Sequence, residues 1–172
     1  MKVFVLLNLF LVSITCVAQE TFTPKKSIES EINIDGLLAP NEWQNAVEIP
    51  LDIEFSPANN ETARKKTIAY VTYSDLYLFI GVYAKDDPSN IRASLRPRDD
   101  GNIWNDDVFL VRLDPYADAR NNLGLAVNAL GSQFDVKQVN ALKDEDRYDS
   151  SFNINFESKG SIVSDGYQVE MK

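Results

Sequence analysis

The residues best suited to chemistry crowd into one stretch of this chain, Gly101 to Pro115, GNIWNDDVFLVRLDP. Trp104 stands there among Asn102, Asn105 and Asp106, just ahead of the apolar run Val108–Leu113. An indole in a polar loop can serve as a stacking platform, with the neighbouring amides and carboxylates as hydrogen-bonding groups. The same indole can serve as a lid over the end of a sheet, and the residue types alone leave both roles open. Acids recur at Asp99-Asp100, Asp106-Asp107 and Asp144-Glu145-Asp146. Glycosidase chemistry needs two carboxyls about 5–10 Å apart across a cleft. Adjacent strand residues point to opposite faces, so nothing here marks an acid–base pair. Asp86, Asp87, Asp106, Asp107 and Asp114 are either oxygen donors for Ca²⁺, which takes roughly six to eight, or solvated loop acids.

Composition removes several alternatives. The chain has no histidine, which excludes His-based general bases, Ser-His and Cys-His nucleophile pairs and His-based zinc sites. Its 17 basic and 26 acidic residues give a net charge of −9. No basic stripe is available to displace phosphate counterions, so nucleic acid is not an expected partner. Of the arginines, Arg98 lies near enough to Trp104 in sequence to line the same loop. Arg112, alone on an apolar strand, calls for a partner, and an aspartate on a neighbouring strand is the expected one.

The elements that must position these residues are short. Ile32–Gly36 reads as a strand ending in an Asp-Gly turn, and Pro40–Ala46 as one helical turn carrying Trp43, a core plug. Val47–Phe55 alternates less cleanly, and Ser56–Lys66 is a loop. Thr67–Tyr73 and Leu76–Ala84 form a hairpin rich in β-branched and aromatic residues. Val108–Leu113, apolar on both faces except for Arg112, reads as a central strand. Leu123–Leu130 and Ser132–Val139 pair around Gly131. Phe152–Glu157 alternates strictly, and Gly166–Lys172 starts a strand that the sequence does not finish. About nine short strands with little helix give an all-β fold, an antiparallel, jelly-roll-like β-sandwich with short helical turns.

Ahead of this body, Met1-Lys2, the apolar run Val3–Val12 and the small residues up to Ala18 read as a secretory signal peptide (1–18). A polar leader (19–31) follows. Lipidation of Cys16 is the rival reading of that cysteine, which is the only one in the chain.

Taken in order, Ile34-Asp35-Gly36, Glu42-Trp43, Leu76-Tyr77-Leu78, Asp86, Asp107 through Asp114, Val127-Asn128 and Gly166-Tyr167-Gln168-Val169-Glu170 carry a resemblance to carbohydrate-binding module family 9. It covers residues 32–172, and the domain is expected to be truncated at its carboxyl end. More closely, the chain resembles the family-9-like domain at the amino end of large exported proteins of Gram-negative bacteria. The resemblance implies non-catalytic binding of a polysaccharide or oligosaccharide, linked to carbohydrate catabolism. It implies Trp104 as the stacking platform, with Asn102, Asp106, Asn128 and Arg98 on the hydroxyls. No cofactor is required, and structural calcium would fall to Asp86, Asp107 and Asp114. The implied partner besides sugar is a downstream β-rich, membrane-associated region of the same polypeptide, and the implied location is the periplasm, outer membrane or cell surface. The chain departs from the family at Phe109, where a glutamate follows the strand valine, and at Ala126, where an arginine precedes Val127-Asn128. Those two losses favour an alternative, a structural or interaction domain that has lost the sugar site.

Overall fold

Eleven strands form among the described residues, the longer ones rich in apolar and β-branched side chains: β1 (Val47–Pro50), β2 (Ile53–Glu54), β3 (Glu61–Thr62), β4 (Thr67–Tyr73), β5 (Leu78–Lys85), β6 (Val108–Leu113), β7 (Asn121–Asn128), β8 (Gln133–Val139), β9 (Tyr148–Asp149), β10 (Ser158–Val163) and β11 (Gly166–Met171). The computed structural model describes residues 21–28, 31–57 and 59–172. The expected signal peptide, with Cys16, lies outside the described residues. The strands form a five-stranded sheet in the order β1-β4-β5-β11-β10, a four-stranded sheet β6-β7-β8-β9 and a small β2-β3 ribbon. Every pairing between these strands is antiparallel. This is the expected antiparallel β-sandwich; the two-residue strands β2, β3 and β9 carry no pattern long enough to read.

The two sheets meet through their inward residues. Ile80, Val82 and Ala84 of β5 and Tyr167, Val169 and Met171 of β11 pack with Leu125 and Val127 of β7. Phe109, Val111 and Leu113 of β6 pack against this cluster. Fully burying one such aliphatic side chain is worth roughly 1.5–3 kcal/mol, so this seam carries most of the cohesion between the sheets.

The outer face of the five-stranded sheet is covered. Trp43, only 5% exposed, clusters with Ile32 and Phe79, and Ile34, Leu38 and Tyr70 close around them. The indole lies over Gly81 of β5, where a Cβ would fall 3.1 Å from the Trp43 ring and 2.5 Å from Leu38 Cδ2. Buried Glu170 ties the cover down: its carboxylate accepts from Trp43 Nε1 at 3.0 Å and from the backbone N–H groups of Asp35 at 2.9 Å and Gly36 at 2.7 Å. Burial pushes this carboxyl above its ordinary value in spite of those donors. Gly36 has φ of 93°, a left-handed conformation that favours glycine, and the turn it makes delivers both N–H groups to Glu170.

Several sequence expectations need correction. Ile32–Gly36 makes no strand, because its backbone is held by Glu170 rather than by a ladder. Val47–Phe55 divides into β1 and β2. Phe152–Glu157 alternates as a strand should, with Ile154 and Phe156 packed on the core, yet it joins no sheet. Within this segment, Ile154 N–H donates to the Asp135 side chain at 2.6 Å and Gln133 donates to the Phe156 carbonyl at 2.9 Å, while Glu157 exchanges backbone hydrogen bonds with Lys172 at 2.8 and 2.9 Å. β6 is the edge of its sheet, paired with β7 alone. Its apolar residues are accounted for by the core on one face, where Phe109, Val111 and Leu113 pack, and by Ile103 and Phe134 on the other, where Val108 and Leu110 meet them. The leader also joins the body before residue 32: Ser27 N–H donates to the Tyr73 carbonyl at 2.8 Å, and its hydroxyl meets Thr72 Oγ1 at 2.7 Å.

Candidate functional site

The outer face of the four-stranded sheet is built differently. Register places Leu110 of β6 beside Ala126 of β7 and Phe134 of β8, and Arg112 beside Gly124 and Val136. The middle strand thus presents only a glycine and an alanine between longer side chains. A Cβ on Gly124 would lie 2.9 Å from Val136 Cγ1 and 3.5 Å from Leu110 Cδ1, so those two side chains lean over the gap. The result is a trough of about 350 Å³ lined by Trp104, Leu110, Arg112, Phe134, Val136, Tyr148 and Ser150.

Trp104 is set at this trough by a short 3₁₀ turn, Gly101–Asn105. Asp100 caps it, accepting from the Asn102 backbone at 2.9 Å and from the Asn102 amide at 2.7 Å. Ile103 is buried against Ala126 and Phe134 and anchors the turn, which leaves the next residue to project outward. The indole is 49% exposed and meets the Phe134 ring edge-on, with centroids 5.3 Å apart and planes at 67°. Tyr148, also 49% exposed, is delivered by the 3₁₀ turn Asp144–Arg147. Arg112 donates through Nη1 to Gln138 Oε1, and Gln138 donates in turn to Asn140 Oδ1 at 2.6 Å. The expected aspartate partner of Arg112 is therefore a neutral amide.

Behind the turn lies a closed polar cluster. Asp106 accepts from Arg96 Nε and Nη2, both at 2.8 Å, from Asn128 Nδ2 at 2.8 Å and from Ser94 N–H at 3.2 Å. The Arg96 guanidinium, seconded by Asn128 and the Ser94 N–H, holds this carboxyl far below the usual carboxylate range. Asn128 also donates to the Ser94 carbonyl at 2.7 Å, and its own carbonyl accepts from Leu130 at 3.1 Å and Ser132 at 2.9 Å. The cluster ties the long connection through Ser94 and Arg96 to the base of the Trp104 turn.

Of the five residues expected to bind sugar, only Trp104 lines the trough. Asp106 and Asn128 are buried, and their hydrogen-bonding capacity is committed to Arg96, Ser94, Leu130 and Ser132. Asn102 serves the turn through Asp100. Arg98 belongs to the other face of the sheet: it pairs with buried Asp135 at 2.7 Å and lies over the Phe156 ring at 5.3 Å. It fastens β8 to the 152–156 segment. Phe109 faces the core, and Ala126 lies buried under Ile103. Leu110, Phe134, Val136, Tyr148 and Ser150 went unread as site residues. The alternation Leu110/Arg112 and Phe134/Val136 over Gly124 and Ala126 was the available signal, but it becomes a trough only once the register is known.

The three residues named for calcium do not converge. Asp86 pairs with Lys65, Asp107 accepts from the Arg92 N–H at 2.7 Å, and Asp114 closes its own loop by accepting from Ala119 N–H at 2.7 Å. Among the described residues, no group of three or more acidic, cysteine or histidine side chains is placed to hold a metal ion.

Its antiparallel sheets give this chain a β-sandwich fold like that of a family 9 carbohydrate-binding module. Among solved structures it is similar to a proposed carbohydrate-binding protein from Bacteroides uniformis, at 12% identity and TM-score 0.63, with 86% of this chain and 68% of that one covered. It is also similar to a family 9 carbohydrate-binding module from Caldicellulosiruptor kristjanssonii in complex with cellotriose, at 20% identity and TM-score 0.54, with 86% and 63% covered. At such identities the likeness concerns the fold. No protein-family model and no curated protein matches the chain.

Proposed function

We propose that this chain is a non-catalytic carbohydrate-binding domain whose ligand lies in the trough on the four-stranded sheet. The observation that carries the reading is Trp104, an indole held half-exposed by a capped turn and braced edge-on by Phe134 at the rim of that trough. Bracing removes rotamer freedom before any ligand arrives, which reduces the entropic cost of stacking on a sugar ring. Tyr148 adds a second exposed ring, and Arg112 and Ser150 offer hydrogen-bond donors beside an apolar floor. The fold shared with a module solved in complex with cellotriose supports the same reading.

The domain would serve a larger exported protein concerned with carbohydrate catabolism, by raising local polysaccharide concentration for whatever is attached to it. The apolar run Val3–Val12 and the small residues before Gln19 support export to the periplasm, outer membrane or cell surface. A second reading, a structural or interaction domain without a sugar site, is favoured by Phe109 in the core and by the internal commitment of Asp106 and Asn128. Calorimetric titration with neutral and acidic oligosaccharides separates the two. Saturable binding that disappears in Trp104→Ala is expected; a folded protein that binds none of them would leave the structural reading.

A further inference from the structure

We infer that the trough is built for an anionic sugar, and that Arg112 reads its negative charge. The inference rests on the trough being the carbohydrate site and goes on to name the class of carbohydrate. The chain carries more acidic than basic residues, yet among the described residues the trough has no carboxylate in its lining and one guanidinium.

That guanidinium is held unlike those of three other arginines. Arg64 pairs with Glu54, Arg96 with Asp106 and Arg98 with Asp135, so each of those charges is met by a carboxylate. Arg112 instead meets the side-chain carbonyl of Gln138, and Gln138 is itself oriented by Asn140. An amide partner fixes the direction of the fork without cancelling its charge. Among the described residues no ion pair engages Arg112.

Position matters as much as charge. Arg112 lies across from Gly124, the one position on the middle strand with no side chain, so nothing there lifts the guanidinium off the floor. A guanidinium has five N–H donors in a planar fork. With one donated to Gln138, the rest suit the two oxygens of a carboxylate or a sulfate ester. Such a group on a ring stacked against Trp104 would be drawn to the Arg112 guanidinium in that lining. A neutral sugar would leave that charge uncompensated by the ligand.

The two sources of that charge are a uronate carboxylate and a sulfate ester, and one titration series separates them. The chain would be titrated with trigalacturonate, with sulfated carrageenan oligosaccharide and with cellotriose, beside Arg112→Gln, Arg112→Lys and Trp104→Ala, with thermal melts confirming folding. One or both anionic ligands are expected to bind at least about tenfold tighter than cellotriose, and whichever binds names the source. Arg112→Gln should remove that preference, and Arg112→Lys should restore part of it by charge without the fork. Affinity for the anionic ligand should fall between about 50 mM and about 500 mM salt, as screening shortens the reach of the charge. Cellotriose binding as tightly as both anions, with Arg112→Gln unchanged, would overturn the inference while leaving carbohydrate binding intact. No binding of any of the three by the folded chain would overturn both.

Discussion

Each sheet of this sandwich has an outer face that carries a tryptophan and a glycine-containing strand, and the two faces have been finished in opposite ways. On the five-stranded sheet the segment from Ile32 to Ala46 folds over Gly81, and Trp43 disappears beneath it with its N–H satisfied by Glu170. On the four-stranded sheet a five-residue turn reaches only part of the face, and Trp104 stays at the rim of a gap over Gly124. Closing one face buries its indole, and leaving the other unfinished keeps an indole half-exposed.

Substitutions can break that comparison. Trp43→Ala should cost about 4 kcal/mol, the usual range for deleting a buried aromatic, measured by urea denaturation. It should leave ligand affinity near that of the native chain. Asp106→Ala comes next, at about 2 kcal/mol for the charged hydrogen bonds from Arg96, Asn128 and Ser94 left unmade. Because Asp106 anchors the turn, this variant should also weaken ligand binding.

Asp106 gives the comparison a pH signature. Its folded value lies below the unfolded one of about 3.9, so its contribution to stability is complete above about pH 4 and is lost as pH falls through the folded value. Asp106→Asn should flatten the acid limb of a stability–pH curve. Glu170, whose folded value is raised by burial, acts with the opposite sign: its contribution is present at low pH and declines as pH rises through the folded value.

The paired glycines sharpen the contrast. Gly81→Ala drives a methyl into Leu38 and Trp43 and should cost about 2 kcal/mol, typical of overpacking. Gly124→Ala crowds the movable Val136 side chain at 2.9 Å, with Leu110 at an ordinary 3.5 Å, and should cost about 1 kcal/mol. Only Gly124→Ala should lower affinity, since it raises the trough floor. The smallest stability change belongs to Trp104→Ala, within about 1 kcal/mol because half of the ring already faces water. That variant should nonetheless lose ligand binding.

How much of this was legible beforehand follows from the range of each interaction. The hairpin β4–β5, the pair β7–β8 and strand β11 are local alternating patterns, and the sequence displays them. Trp43 reads as a plug and is one. Phe152–Glu157 shows where pattern misleads: Ile154 N–H and the Phe156 carbonyl are met by the side chains of Asp135 and Gln133, which alternation cannot reveal. The site was legible only in its tryptophan. Asp106, Asn128 and Arg98 have the right types for hydroxyl binding, but their partners Arg96, Ser94 and Asp135 claim them, and such claims appear only with tertiary contacts. Tyr148 sits in a charged segment with no periodicity, so nothing local announced it.

The carboxylate of Glu170 reaches back 135 residues to the N–H of Asp35. In time rather than space, that bond sets an order of assembly. Loop closure over such a separation is slow compared with zipping a hairpin, and β11 must be seated between β5 and β10 before its glutamate can hold anything. On a ribosome the segment bearing Trp43 emerges well before the strand that fastens it, and it waits. Trp104, flanked by β6, β7 and β8, needs only near neighbours to reach its setting. The two indoles are thus built-in clocks: in a refolding experiment Trp104 fluorescence should settle first, and Trp43 should mark the moment the chain closes on its own beginning.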